Sequence, residues 1–315
     1  MNVNSQAPWT DLVVDDVGPE IRQKLDIVES ILSDLGSVVV AYSGGVDSSV
    51  LAAIAVRTLG SRARLVTAVS PSLAAEELKW ARVGAAAIGA PLHVVHTDEA
   101  EREDYAANSP NRCYVCKGIV FARLRQVADA EGAIALVYGA NADDGGDYRP
   151  GARAAIEAGV RAPLAEAGLT KREVRQVAKA FGLPCWDKPA APCLASRIPY
   201  GQRVTIEKLR QIEAGERVLH RLGFGESRLR HHGDVARLEV QPDDLSRAVE
   251  CGVRDELLTE ITALGFHYVA LDLRGFRSGS LNEALRLRPE MPASASSTGT
   301  GSQTAATPSV GRSGR

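Results

Sequence analysis

The sequence lacks most of what would assign it to a special class. No stretch reaches the roughly 18 uninterrupted apolar residues that a membrane span requires, so no membrane association is expected. The opening MNVNSQAPWTDLVVDD is polar and acidic and does not read as a signal peptide. Charge of one sign is missing as well: 37 Lys and Arg face 39 Asp and Glu, a formal net charge of −2. That balance argues against holding nucleic acid by bulk electrostatics and leaves room only for a local basic patch. Cysteine is sparse, with five in 315 residues. This is too few for a secreted disulfide scaffold and an odd number to pair. A reducing cytoplasm is the expected compartment, where thiols serve chemistry, metals or packing. No internal repeat is found.

What is present is alternation. The length suggests about two domains. Apolar spacing predicts helices over 19–35, 48–59, 73–88, 116–130 and 170–181, with apolar strands at 37–42, 64–69, 92–96 and 133–138 between them. Unbroken apolar strands alternating with helices predict an α/β fold, a parallel doubly wound sheet covered on both faces. Four prolines between Pro184 and Pro199 then mark a connector. An amphipathic helix (205–222), two short strands (227–231, 236–240), a helix (253–264) and a last strand (267–273) predict a small α+β unit. The expected division is a flexible N-terminus (1–17), a nucleotide domain (18–183), a connector with Cys193 (184–203), a small substrate and oligomerisation domain (204–285) and a disordered tail (286–315). In the last 25 residues, 20 are Ala, Ser, Thr, Gly or Pro, too little apolar surface to offset ordering entropy.

The most specific local signal is Tyr42-Ser43-Gly44-Gly45-Val46-Asp47-Ser48-Ser49, between a strand and a helix. Gly44 and Gly45 permit a sharp turn and close approach of a ligand. The turn's amides and the helix dipole converge on a spot suited to phosphate. Ser43, Ser48 and Ser49 add hydroxyls, and Asp47 is placed to work through Mg²⁺. The Walker lysine is absent. A second loop, Gly139-Ala140-Asn141-Ala142-Asp143-Asp144, follows the fourth strand, where parallel sheets line their ligand crevice; its carboxylates, Asp144 included, are candidates for Mg²⁺ or substrate.

Cys113 and Cys116 form a C-x-x-C pair at the start of a helix, and Cys193 lies in the connector. Alone, the pair fits a redox couple, half a zinc site or part of an iron–sulfur site. No second C-x-x-C or H-x₃-H completes a zinc site. Three cysteines without a fourth protein ligand would leave one iron of a [4Fe–4S] cluster open. Arg112, Lys117 and Arg197 flank these thiols and favour thiolate. Cys185 and Cys251 read as packing residues. Eight arginines between Arg197 and Arg237 interleave with glutamates and read for the most part as solvated salt-bridge surface. Arg228 and Arg230, alternating on one strand, are placed to grip a phosphate.

SGGVDSS resembles the PP-loop of the ATP pyrophosphatase superfamily, which cleaves ATP to AMP and pyrophosphate and adenylylates a substrate. Together with NRCYVCK, NADDGGDYRPG, PCLASRIPYG and the RLRHHGDVARLEV run, it resembles the LarE family from about Leu25 to Phe276. That family comprises ATP-dependent sulfur transferases of nickel-pincer nucleotide synthesis, which serves lactate racemase. The resemblance implies ATP and Mg²⁺ at Ser43, Gly44, Gly45, Asp47, Ser48 and Ser49. It implies adenylylation of the carboxylates of pyridinium-3,5-biscarboxylic acid mononucleotide, with sulfur then replacing AMP. It implies Cys193 as the catalytic cysteine and either of two sulfur sources. In one, Cys193 gives up its own sulfur and becomes dehydroalanine. In the other, Cys113, Cys116 and Cys193 hold a [4Fe–4S] cluster carrying an extra sulfide; the C-x-x-C pair, absent from sacrificial members, favours this one. Arg228, Arg230, Ser196 and Glu216 are implied on the substrate phosphate, and a homo-oligomer, a hexamer in the family, is implied as the assembly. The sulfide donor is open. An NAD or GMP synthetase-like amide-forming enzyme shares the PP-loop, but no glutaminase-like domain precedes it. A tRNA thiolase would need an RNA-binding module, which a −2 chain supports weakly.

Overall fold

The computed structural model describes residues 17–146, 150–277 and 279–281. The tail assigned to 286–315, and all but the last residue of the N-terminal 1–17, lie outside them.

Helix α1 (Pro19–Leu35) buries Ile21, Leu25, Val28 and Leu32, one stripe at helical spacing. Strand β1 (Val38–Ala41) is almost wholly buried, as a central parallel strand must be. After the glycine turn, α2 (Val46–Leu59) is apolar nearly all round and buries ten side chains. Strand β2 (Ala63–Val69), α3 (Ala75–Ile88) and β3 (Leu92–His96) follow. A short helix α4 (Glu103–Ala106) precedes α5 (Arg112–Ala130) and β4 (Ala135–Tyr138). The four strands are parallel in the order β3-β2-β1-β4. The switch point therefore lies at β1, and its carboxyl end opens into the crevice. One core fills the side of this sheet covered by α1, α2 and residues 171–180. A second, with Phe121 and Leu124 of α5, fills the other side.

Short helices α6 (Pro150–Glu157) and α7 (Pro163–Glu166) lead to α8 (Lys171–Ala180). Thr170 starts α8 with a full capping box: its hydroxyl accepts from the Glu173 amide at 3.3 Å, and Glu173 reaches back to the Thr170 amide at 2.8 Å. Helix α9 (Ile206–Arg221) packs on a three-stranded sheet, β5 (Arg228–His232), β6 (Val235–Glu239) and β7 (Tyr268–Leu271), beside α10 (Leu245–Ala248) and α11 (Cys251–Ala263). The first pair is antiparallel and the second parallel. This sheet has its own core, to which Ala100, Tyr105, Leu194, Ala195 and Ile198 also belong. The connector is thus part of a core rather than a loose strap. Cys185 is buried as expected, but Cys251 is exposed at the first turn of α11 and packs nothing. The packing reading of Cys251 is corrected: its helix turns that position to solvent. Among the described residues, no helix is long and apolar enough to cross a membrane.

Candidate functional site

The turn between β1 and α2 is built by its own hydroxyls. The Ser43 amide donates to Ser48 Oγ at 3.2 Å, the two hydroxyls meet at 3.0 Å, and Ser48 Oγ donates to the Gly45 carbonyl at 3.0 Å. Gly44 takes a φ of 73°, and a Cβ there would stand 2.6 Å from the Ala81 backbone, so only glycine serves. Ser43, Gly45, Asp47 and Ser48 line a pocket of about 260 Å³ with Val66, Thr67, Lys117, Phe121, Tyr138 and Gly139. Ser49 is fully buried behind the loop, its hydroxyl 3.2 Å from that of Tyr42. Burial pushes the Tyr42 phenol up to about 12, so it stays a neutral prop.

Asp47 is held from two sides: Asn141 Nδ2 donates to it at 3.1 Å, and the Lys171 ammonium pairs with it. Asp144 accepts from the Asn141 amide at 3.0 Å, and Asp143 from the Lys171 amide at 2.9 Å. The second acidic loop therefore braces the first.

Helix α5 joins this pocket to the cysteines. Lys117 faces the pocket, 5.6 Å from the Phe121 ring centre. Its neighbour Cys116 packs against the other core together with Cys193. Cys113 is exposed, and Cys116 and Cys193 are half-buried. The three thiols feel one another electrostatically: Cys116 is raised to about 12 by burial, then by Glu99, Cys193 and Cys113. Among the described residues, no three His, Cys, Asp or Glu side chains are close enough to hold a single metal ion. Cys116 and Cys193 pack on one core and Cys113 stands one helical turn before Cys116, and thiols are the donor chemistry that an iron–sulfur cluster takes.

Two buried residues that sequence reasoning missed stand here. Glu99 is 3% exposed, 4.0 Å from the Cys116 sulfur, and its Oε2 has no hydrogen-bond partner. Asn108 is fully buried at φ 54° and donates to the carbonyls of Ile198, Pro199 and Gln202, at 3.3, 2.8 and 2.9 Å. It fastens the connector, and with it Cys193, to the segment before α5. Glutamate after a strand and asparagine before a turn carry no local signal for either task.

Half of the eight arginines, Arg203, Arg210, Arg217 and Arg221, are the solvated surface the sequence suggested; Arg197 and Arg230 are not. Arg197 pairs with Glu216 at 2.9 Å and Arg230 with Glu239 at 2.9 Å, all four buried. The reading is corrected because strand pairing sets Arg230 directly opposite Arg237, and Glu239, wholly inaccessible, bridges both. Arg230 also donates to the Ser196 carbonyl at 2.9 Å, and Arg197 to Ser196 Oγ at 2.9 Å. Arg228 differs. It lies over the Phe276 ring and makes no ion pair among the described residues. Burial and the nearby Arg197 and Arg230 disfavour its charge, while Glu216 favours it.

A family model for asparagine synthase matches residues 21–124. An uncharacterized protein of Synechocystis sp. is 44% identical over 84% of this chain and 99% of its own length. The pyridinium-3,5-bisthiocarboxylic acid mononucleotide synthase of Lactiplantibacillus plantarum is 36% identical over 81% of this chain and 92% of its own length. An uncharacterized protein of Methanocaldococcus jannaschii is 28% identical over 76% and 91%.

Proposed function

The chain belongs to the LarE family of ATP-using PP-loop enzymes, and from that premise we propose that it makes a pyridinium bis-thiocarboxylic acid mononucleotide. ATP adenylylates each carboxylate of pyridinium-3,5-biscarboxylic acid mononucleotide in turn, and sulfur displaces AMP. One observation carries the reading: consecutive residues of α5 face the two halves of the chemistry, Lys117 the nucleotide pocket and Cys116 the thiols around Cys193. An amide-forming PP-loop enzyme would have no use for that junction.

The residues divide the work as follows. The loop amides and the hydroxyls of Ser43 and Ser48 bind the ATP phosphates, with Gly44 and Gly45 admitting them. Ser49 supports the loop from behind. Asp47 would hold Mg²⁺, with Asp144 keeping Asn141 in place. A substrate carboxylate oxygen bonds to the α-phosphorus as the bond to pyrophosphate breaks; the Lys117 ammonium sits where negative charge gathers. Carboxylate oxygen leaves poorly until it leaves as AMP. Arg228 takes the substrate phosphate, and Arg230, Ser196 and Glu216 fix the wall around it. Cys113, Cys116 and Cys193 would hold a [4Fe–4S] cluster, which would supply sulfide as the nucleophile. The protein acts in the cytoplasm as a homo-oligomer, with 18–183, 184–203 and 204–285 as nucleotide domain, connector and substrate domain.

Pyrophosphate release that requires the pyridinium nucleotide, and neither tRNA nor ammonia, is the test of the reaction. Anaerobic purification tests the sulfur source. A brown protein that loses its iron in Cys113→Ala is expected. A colourless protein whose mass falls by one H₂S at Cys193 per turnover would overturn the cluster.

A further inference from the structure

The peptide that joins Cys193 to Leu194 is held at both of its polar groups. Its carbonyl accepts from the Ser196 amide at 2.9 Å and from the Arg197 guanidinium at 3.1 Å, both within the connector. Its N–H, on Leu194, donates to the Ser72 carbonyl at 2.9 Å. Among the described residues, Ser72 is the hold on this peptide that comes from outside the connector.

Ser72 lies in residues 70–74 between β2 and α3, which belong to no helix or strand. Val66, Thr67 and Ala68 before this loop and Leu73 within it line the nucleotide pocket. Ser72 therefore stands one residue from a pocket wall and one hydrogen bond from the cysteine's peptide. A loop without ladder bonds has to be fixed by other partners. Ser72 supplies one, because its hydroxyl shares a hydrogen bond with that of Tyr105 on α4. Ser72 is 3% exposed and Tyr105 1%, so water cannot replace either hydroxyl for the other. Tyr105 packs in the same core as Leu194 and Ala195. The pair thus fastens the loop to the core on which the connector rests. The nucleotide side has its own supports: β2 pairs with β1 and β3, and the Leu73 amide donates to the Ser70 carbonyl at 3.0 Å.

We propose that Ser72, locked by Tyr105, is a positioning residue for Cys193. It sets the cysteine against the nucleotide pocket for the sulfur-transfer half of the reaction and takes no part in adenylylation. The role rests on the two-step reaction proposed above and holds for either sulfur source. In the first half a carboxylate oxygen bonds to the α-phosphorus, and pyrophosphate leaves with the electron pair of the broken bond. In the second a sulfur nucleophile bonds to the carboxyl carbon, the C–O bond to AMP breaks, and AMP takes the electron pair. Only the second half needs Cys193 in place, and a misplacement on the order of 1 Å costs such a step about 100-fold.

The test compares full-length Ser72→Ala, Tyr105→Phe and the double variant with the parent, all purified anaerobically. Hydrogen exchange at Leu194, read by mass spectrometry of peptides that cover it, reports the hold itself. Single-turnover thiocarboxylate formation, with sodium hydrosulfide present, reports the second half. ATP–pyrophosphate exchange that requires the pyridinium nucleotide reports the first. Each single variant is expected to exchange Leu194 about tenfold faster and to form thiocarboxylate about tenfold more slowly, the worth of one hydrogen bond. Pyrophosphate exchange is expected to stay within about twofold of the parent, since the nucleotide pocket keeps its own supports. The double variant is expected to be no worse than either single one, because the same hydrogen bond is lost in all three. Unchanged Leu194 exchange, equal losses in the two halves, or additive losses in the double variant overturns the proposal. A parent that exchanges no pyrophosphate overturns the reaction proposed above, and the role of Ser72 with it.

Discussion

Replacing Gly139 with alanine should disable the nucleotide pocket without removing any group proposed to contact ATP. Gly139 follows β4 and does not have a positive φ, so its backbone alone would accept a side chain. The obstacle is the loop facing it. A Cβ at 139 would stand 2.6 Å from the Ser48 nitrogen and 2.8 Å from the Asp47 carbonyl carbon and Ser48 Cα, where ordinary contact begins at 3.4 Å. The two backbones must part by the difference, 0.8 Å. Both are central to the fold, so the overpacking should cost about 1–3 kcal/mol. It acts on the residues that carry the pocket's amides and Asp47. Phosphate hydrogen bonds weaken steeply when donors move this far, and losing one charge-assisted bond is worth roughly 1.5–3 kcal/mol. We expect ATP affinity, measured by calorimetry, to fall about 10- to 100-fold, and Tm to drop about 2–4 °C per kcal/mol lost. Gly118→Ala is the matched control. It lies inside α5 with open space around its Cβ position, and should gain about 0.5–1 kcal/mol and bind ATP normally. Unaltered ATP binding in Gly139→Ala would refute the idea that the close approach of these two loops shapes the pocket.

Asp47→Asn should slow Mg²⁺-dependent pyrophosphate release about 100-fold, while leaving the melting temperature nearly unchanged, since the Asn141 contact survives; a rate within tenfold of the parent would remove Asp47 from the metal site. Thr170→Ala breaks the capping box of α8 and should cost about 1 kcal/mol in denaturant unfolding; no loss would mean that Lys24, 2.8 Å from Glu173, holds the helix end alone. His231 is depressed to about 4, chiefly by burial. Its neutral form is the folded one, so its contribution is complete above the unfolded value near 6.5 and is lost as pH falls toward 4. Between pH 7.5 and 5.0 the parent should lose about 2 kcal/mol more than His231→Phe; parallel curves would sink the assignment.

Much of this was legible in the sequence because it is local. Strands 92–96 and helix 19–35 fall where apolar spacing puts them, since period and burial are one fact read twice. The glycine turn announces itself because a tight strand-to-helix turn around an anion admits few residues. The C-x-x-C pair is visible for the same reason: one helical turn sets two thiols on one face.

What stayed hidden depends on partners far along the chain. Asp47 meets Lys171 across 124 positions, and Arg112 meets Ala195 across 83. Neither spacing has a period to detect. The arginine-rich stretch misled for a further reason. Arg and Glu in alternation read as surface when each charge is weighed alone, yet a β-pair fixes which charges face each other. Once Arg230 and Arg237 are opposed, one glutamate can pair with both, and Glu239 does so while fully inaccessible. The same logic isolates Arg228 and Arg112. Each is the guanidinium left over when its neighbours have paired, one beside Arg197 and Arg230, the other beside the cysteines.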